Sequence, residues 1–207
     1  MNKIFSDLLN KYKYKKQIQN FGEYVELSSN LEREICISTI TPQVADLVDK
    51  TIRFWNLRDE EEYVEMLKRE PIKIYINSSG GDFNAMMTIM DAIKMSRTPV
   101  YTINTGITQK EAFYIYLTGH QRYCYPRSTF LFERDLKQLC DENSQNQGYI
   151  NFYEKQLDEL KDILLDRSKV SEAEYNKHAK NSWWISADDA ARLKICNEIL
   201  NSHNFKK

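Results

Sequence analysis

The segment Ile72 to Asp82, IKIYINSSGGD, constrains the fold of this chain more than any other stretch. Its first five residues place isoleucine at every other position after Pro71, and Asn77-Ser78-Ser79-Gly80-Gly81 then breaks the run, the pattern of a short buried strand ending in a tight turn. From Asp82 the apolar period changes: Met86, Ile89, Met90 and Ile93 fall on one side of a helix. A strand passing through a glycine pair into an amphipathic helix opens a right-handed crossover, so an α/β fold with parallel pairing is expected.

The neighbouring segments repeat this alternation. Glu34 to Thr39 reads as a strand, and Thr41-Pro42 gives an N-cap with proline at the first helical position. The helix should run from Pro42 to about Phe54, with Val44, Leu47, Val48, Thr51 and Ile52 on one face. Arg58 to Glu70 then suggests a short surface helix, with Asp59-Glu60-Glu61-Glu62 as its solvated start. Val100 to Ile103 predicts a strand, Gly106 a turn, and Ala112 to Leu117 a buried helix. Tyr123 to Tyr125 and Thr129 to Phe132 supply two more strands. Phe113, Tyr114 and Tyr116 read as packing of that buried helix, with Phe113 crowding the ground near its start. Trp183-Trp184 reads as a buried anchor before the last helix.

After Glu142 the pattern lengthens. Residues 142–167 read as one charged helix whose stripe Ile150, Tyr153, Leu157, Leu160 and Leu164 would be left exposed without a partner surface. Ser171 and Ser186 each begin a helix-capping pattern. Residues 1–33, with Ile4, Phe5, Leu8, Leu9 and Tyr12 at helical spacing, form an N-terminal helical arm, and 34–207 form a single α/β domain.

Charge excludes some partners. Lys and Arg number 29 against 30 Asp and Glu, so no chain-wide field favours nucleic acid or an anionic membrane. No segment approaches the roughly 20 apolar residues of a membrane helix, and the charged N-terminus does not read as a signal peptide. Cys36, Cys124, Cys140 and Cys196 form no paired motif and suit buried free thiols in a reducing compartment, so a soluble cytoplasmic chain is expected. His120, His178 and His203 lack spaced ligand partners, and neither a metal nor a cofactor is implied.

The string PIKIYINSSGGD resembles the Clp protease proteolytic subunit family, whose pattern there is P-I-x-x-Y-I-N-S-P-G-G. The likeness continues through Gly106, Thr118-Gly119, Arg122-Tyr123-Cys124, Pro126-Arg127-Ser128 and Trp184-Ile185-Ser186-Ala187, covering roughly Glu34 to Leu200. It implies a crotonase-like fold of stacked β-sheets flanked by helices, with a long protruding handle helix formed here by about 142–167. It also implies heptameric or tetradecameric rings, joined by that handle, which engage AAA+ unfoldases.

The family is a serine peptidase with a Ser, His, Asp triad. Aligned without gaps from Gly106 to Gly119, this chain places Lys110 at the nucleophile. Glu133 follows RYCYPRSTFLF at the histidine position, and Ser182 stands at the aspartate position. The oxyanion-hole positions implied by the resemblance are Gly81 and Glu111. A protonated lysine, with an ordinary pKa of about 10.4, has no lone pair with which to replace a serine hydroxyl. Lys110 and Glu133 are therefore expected to form an ion pair in a vacated site. Arg134 to Cys140 also lacks the glycines of the family's peptide-docking strand.

The resemblance thus suggests a catalytically inactive, ClpR-like subunit that assembles with itself or with an active proteolytic subunit. The alternative is a peptidase of the Ser/Lys kind, similar to signal peptide peptidase A, with Thr108, Ser128 or Ser78 as a relocated nucleophile and Lys110 as its base. A crotonase-type enzyme is a further option, but no acyl-CoA signature is present. A stand-alone scaffold would differ only in its partner.

Overall fold

The computed structural model of the protein describes residues 32–134, 147–179 and 181–201. The N-terminal arm expected over 1–33 and the 135–146 segment lie almost wholly outside these residues, as do Cys140 and His203. The strands are β1 (Glu34–Ile37), β2 (Ile72–Ser78), β3 (Val100–Gln109), β4 (Gln121–Cys124), β5 (Thr129–Phe132), β6 (Trp183–Ser186) and β7 (Glu198–Ile199). The helices are α1 (Pro42–Glu61), α2 (Phe83–Met95), α3 (Glu111–Thr118), α4 (Gln147–Arg167), α5 (Glu172–His178) and α6 (Ala187–Arg192).

The seven strands join in one sheet with the parallel order β1-β2-β3-β4-β7. The layers branch at β3. Its first half pairs with β4, while Ile107 to Gln109 pair with β5, and β6 lies antiparallel on β5. The β5–β6 pair is the one departure from parallel crossovers among the described strands.

Gly106 marks no turn. β3 runs straight through it to Gln109, because a bare Cα is what lets Asn77 approach. A Cβ at Gly106 would lie 2.6 Å from Asn77 Oδ1, which instead accepts from the Ile107 N–H at 3.0 Å. The β2–β3 register shifts between Ile76 and Ser78 at this point. A glycine inside a strand often marks such a close approach, which a turn rule misreads.

α1 also departs from expectation. It continues to Glu61, and a 3₁₀ turn at Met66–Lys68 replaces the second surface helix. Its buried face is Ala45, Val48, Ile52, Trp55 and Asp59, whereas Leu47 is 49% exposed. The acidic run thus sits at a helix C-terminus, where the dipole disfavours it. Asp59 is buried and paired with Arg33, so this member of the run is not solvated. The caps follow the sequence: Thr41, Ser171 and Ser186 accept from Val44, Glu174 and Asp189 N–H groups respectively.

The α4 stripe corrects a stronger expectation. Tyr153, Leu157, Leu160 and Leu164 are buried within the chain's own core, with Tyr153 packed edge-on to Phe83. They need no partner molecule for cover, because α4 lies against α3 and supplies one wall of the core. The side chain of Ile150 lies outside the described set. Trp184 is 60% exposed and so is no buried anchor, while Trp183 stacks on His178 at 4.2 Å. Cys124 and Cys196 are buried free thiols, but Cys36 is exposed because β1 points it away from its buried neighbours Ile35 and Ile37.

Candidate functional site

The site grows from the junction of β3 and α3. Lys110 alone links the strand to the helix, at φ 51° and ψ −119°. A β-carbon in this region costs about 1–3 kcal/mol, so the turn must be held from outside. Lys110 donates its N–H to Leu131 O at 3.1 Å, and its carbonyl accepts from the Phe113 N–H at 3.0 Å. Residues 112–118 behind it are all buried, which fixes the helix. The result is a sharp strand-to-helix elbow that presents one side chain outward, the geometry used elsewhere to expose a nucleophile. Here it presents an amine.

β5 and β6 bring the other two positions to the same place. Their antiparallel register pairs Phe132 with Trp183, so the residue just after β5, Glu133, comes beside the residue just before β6, Ser182. The Ser182 hydroxyl donates to Glu133 Oε1. Lys110 Nζ lies 3.6 Å from Glu133 Oε2, within ion-pair reach, and both side chains remain partly open at 26% and 21% exposure. Lys110, Glu133 and Ser182, far apart in sequence, thus form one connected chain of polar groups.

Glu111 completes the arrangement from the first turn of α3. Its Oε2 accepts from the Gly81 N–H at 3.0 Å, so a carboxylate of the chain itself covers the backbone donor that the resemblance assigns to an oxyanion. The glycine pair makes this contact possible. Gly80 has φ +111°, and a Cβ there would stand 2.4 Å from Glu111 Oε2. On the other side, a Cβ at Gly81 would meet Ile40 O at 2.1 Å, where Ile40 bridges the turn by accepting from the Asp82 N–H. Asp82 caps α2 by accepting from the Ala85 N–H at 2.7 Å.

Beside these groups lies a narrow cleft. Phe83, Met86, Tyr114, Leu157 and Leu160 make its apolar wall, and Lys110, Glu111 and Glu133 its charged rim. Arg134 ties the end of β5 to α4 through Asp158 at 3.3 Å. The Tyr114 phenol, buried in the wall, has its ionisation pushed well up, chiefly by that burial, and so remains neutral. Phe113 is fully buried against Phe130 and Phe132 and does not line the cleft.

The relocated hydroxyls do not reach the amine. Thr108 is fully buried, and its hydroxyl has no partner among the described residues. Ser78 is held in the Gly80 turn, and Ser128 donates to Tyr125 O at 2.8 Å. Both side chains serve local backbone. His120 accepts the Val100 N–H on Nδ1 at 3.0 Å, a structural role at the start of β3.

Sequence reasoning placed Lys110, Glu133 and Ser182 together, and it anticipated the Lys110–Glu133 pair. It noted the charge of Glu111 without finding its reach to Gly81, since the two are thirty positions apart. Met86, Tyr114, Leu157 and Leu160 were legible as apolar helix positions, but not their meeting beside the elbow, nor the contact of Arg134 with Asp158. The one signal for the Glu111 contact was a glycine pair beside an elbow that starts with an acidic residue.

The family model for Clp protease matches residues 23–203. The chain belongs to the Clp protease family. Its relatives include the ATP-dependent Clp protease proteolytic subunit 2 of Treponema denticola, 26% identical over 135 residues, or 64% of this chain and 68% of that protein. The ATP-dependent Clp protease proteolytic subunit of Dehalococcoides mccartyi is 24% identical over 171 residues, 82% of each chain. That of Streptococcus mutans is 25% identical over 139 residues, 65% of this chain and 71% of the relative. The mixed α/β architecture, seven strands flanked by helices, accords with Clp protease membership. Among the described residues, no helix is long and apolar enough to cross a membrane.

Proposed function

We propose that this chain is a non-catalytic ring subunit, a pseudo-peptidase that supports or modulates ATP-dependent proteolysis in the cytoplasm. The observation that carries the reading is the content of the elbow: an ammonium 3.6 Å from Glu133 where a hydroxyl nucleophile would stand, beside a Gly81 N–H engaged by Glu111. The elbow itself therefore presents no hydroxyl nucleophile, and its Gly81 N–H is not free to receive an oxyanion. A carboxylate at that donor repels the negative charge that an acyl-transfer transition state develops.

The proposed partners are further copies of this chain, or an active Clp proteolytic subunit, in heptameric or tetradecameric rings that work with an AAA+ unfoldase. In this reading α4 acts as the handle. It docks through the face bearing Phe152, 55% exposed, because Tyr153, Leu157, Leu160 and Leu164 are spent on the chain's own core.

The test combines a fluorogenic peptide assay with native mass measurement, alone and mixed with an active proteolytic subunit. The expected result is no turnover by this chain alone and a mass that corresponds to a homomeric or mixed ring. Turnover abolished by Lys110→Ala would overturn the non-catalytic reading, and a persistent monomer in both samples would overturn the ring.

A further inference from the structure

We infer that Cys124 and Cys196 are a modification site, a buried dithiol that a peroxide converts to a disulfide joining β4 to the turn before β7. The inference is independent of whether the elbow is catalytic.

The sheet brings the two cysteines together. β4 and β7 pair in parallel with Tyr123 opposite Glu198 and Cys124 opposite Ile199, and Cys196 approaches the same strand from the end of α6. Its Sγ lies 3.6 Å from Arg122 O and 3.0 Å from Glu198 O, while the Asn197 N–H donates to Arg122 O at 2.8 Å. Both thiols are free and completely buried. Each perturbs the other's ionisation. Contact with Cys196, with burial adding to it, pushes the Cys124 thiol up, and contact with Cys124 holds the Cys196 thiol below its ordinary range against the opposing effect of burial.

Two further groups favour a thiolate at Cys196. The buried Arg122 guanidinium is fixed near the sulfur because its donors point at the carbonyls of Arg167, Lys194 and Ile195. The Tyr116 hydroxyl is fully buried, has no hydrogen-bond partner among the described residues, and is close enough to both sulfurs for their charges to act on it. A buried donor left unpaired is a cost that a neighbouring thiolate removes.

The chemistry balances with a peroxide as oxidant. The Cys196 thiolate attacks one peroxide oxygen, the O–O bond breaks, and the departing hydroxide takes up a proton and leaves as water, giving a sulfenic acid. The Cys124 sulfur then attacks the sulfenic sulfur, the S–O bond breaks, and a second water leaves with the Cys124 proton. Two thiols lose two electrons, and one peroxide becomes two waters.

Access comes through the sheet edge. β7 is a two-residue strand at the end of the β1-β2-β3-β4-β7 order, and the turn leading to it passes through Lys194 at φ 57°. A short edge strand after a strained turn opens locally at less cost than the core. The disulfide closes a loop from 124 to 196 that contains Glu133 and Ser182, so its redox state sets how firmly two of the three polar groups at the elbow are tied to the sheet.

The experiment treats the folded, fully reduced chain with hydrogen peroxide, blocks the remaining thiols with N-ethylmaleimide in denaturant, and maps the digest by mass spectrometry. Cys196→Ala is treated in parallel. The expected result is a cross-linked peptide pair joining Cys124 to Cys196, and a melting temperature raised by about 5–10 °C and restored by dithiothreitol, the scale of a disulfide closing a long loop. Cys196→Ala should show neither the cross-link nor the rise, and the wild-type map decides the matter if that variant does not fold.

Cys124 and Cys196 both alkylated after peroxide, either of them oxidised alone to a sulfinic or sulfonic acid, or a disulfide to Cys36 or Cys140 in place of this pair would overturn the inference. So would a cross-link that forms only when denaturant is present during oxidation, because the fold would then not be what joins the thiols.

Discussion

Two ion pairs in this molecule each involve a cation whose backbone has positive φ, and they differ in almost everything else. Arg33, at φ 61°, reaches Asp59 through two hydrogen bonds of 2.9 and 2.5 Å, stacks over Trp55 at 4.4 Å, and donates to Glu70 O. Thr98 adds a 2.6 Å bond to the same carboxylate, which is 1% exposed. Lys110, at φ 51°, makes a single 3.6 Å approach to a carboxylate that is partly exposed. The first pair is dry, bidentate and fully satisfied, as a lock between α1 and the start of the sheet must be. The second is loose, wet and set in a cleft, where charges can respond to what enters.

The largest expected effect follows from the locked pair. Asp59→Ala leaves a buried guanidinium without its carboxylate and should cost about 3–5 kcal/mol, measured as a lower denaturant midpoint at unchanged slope. The same pair has a pH signature. Burial acts to raise the Asp59 pKa, but hydrogen bonds from Arg33 and Thr98 and the charges of Arg33 and Arg69 outweigh it, holding the carboxyl below the usual range. A depressed folded-state pKa gives stability that is complete above the unfolded value, about 3.9, and is lost as pH falls through the folded value. Stability of the wild type should therefore fall more steeply between pH 4 and pH 2 than that of Asp59→Asn; parallel acid limbs would contradict this assignment.

At the elbow the effects shrink. Lys110→Gly removes the penalty of a β-carbon at positive φ and should stabilise the chain by about 1 kcal/mol, read as a higher melting temperature. A loss of stability would mean that the Lys110 side chain contributes more to the fold than its backbone costs. Smallest of all is the coupling between Lys110 and Glu133. A double-mutant cycle with alanine should give less than about 1 kcal/mol, shrinking further as salt is raised. A coupling as large as that of Arg33 and Asp59 would erase the contrast between the two pairs.

How much of this was legible in the sequence depended on whether the cause was local. The strand at Ile72, the Thr41, Ser171 and Ser186 caps and the buried helix after the elbow could be read because spacing and capping act within one element. Gly106 misled because the reason for that glycine is Asn77 on the neighbouring strand. Asp59 misled because its partner Arg33 lies just before β1, 26 positions away in sequence, which turned an apparently solvated charge run into a buried contact. The α4 stripe was read correctly as apolar, but its cover came from the chain's own core. At the site, register against the family pattern put Lys110, Glu133 and Ser182 at related positions. The Glu111 contact with Gly81 was not legible, since it joins residues thirty positions apart across the elbow and the glycine turn.

The most direct test of the central claim, that the elbow holds no usable nucleophilic hydroxyl, is intact-mass analysis after prolonged incubation with a serine-directed fluorophosphonate probe. An active Clp proteolytic subunit serves as the positive control. The account predicts a single unmodified mass for this chain under conditions that label the control to completion. A stoichiometric adduct mapped to Ser182, Thr108, Ser78 or Ser128, and lost in Lys110→Ala, would contradict it.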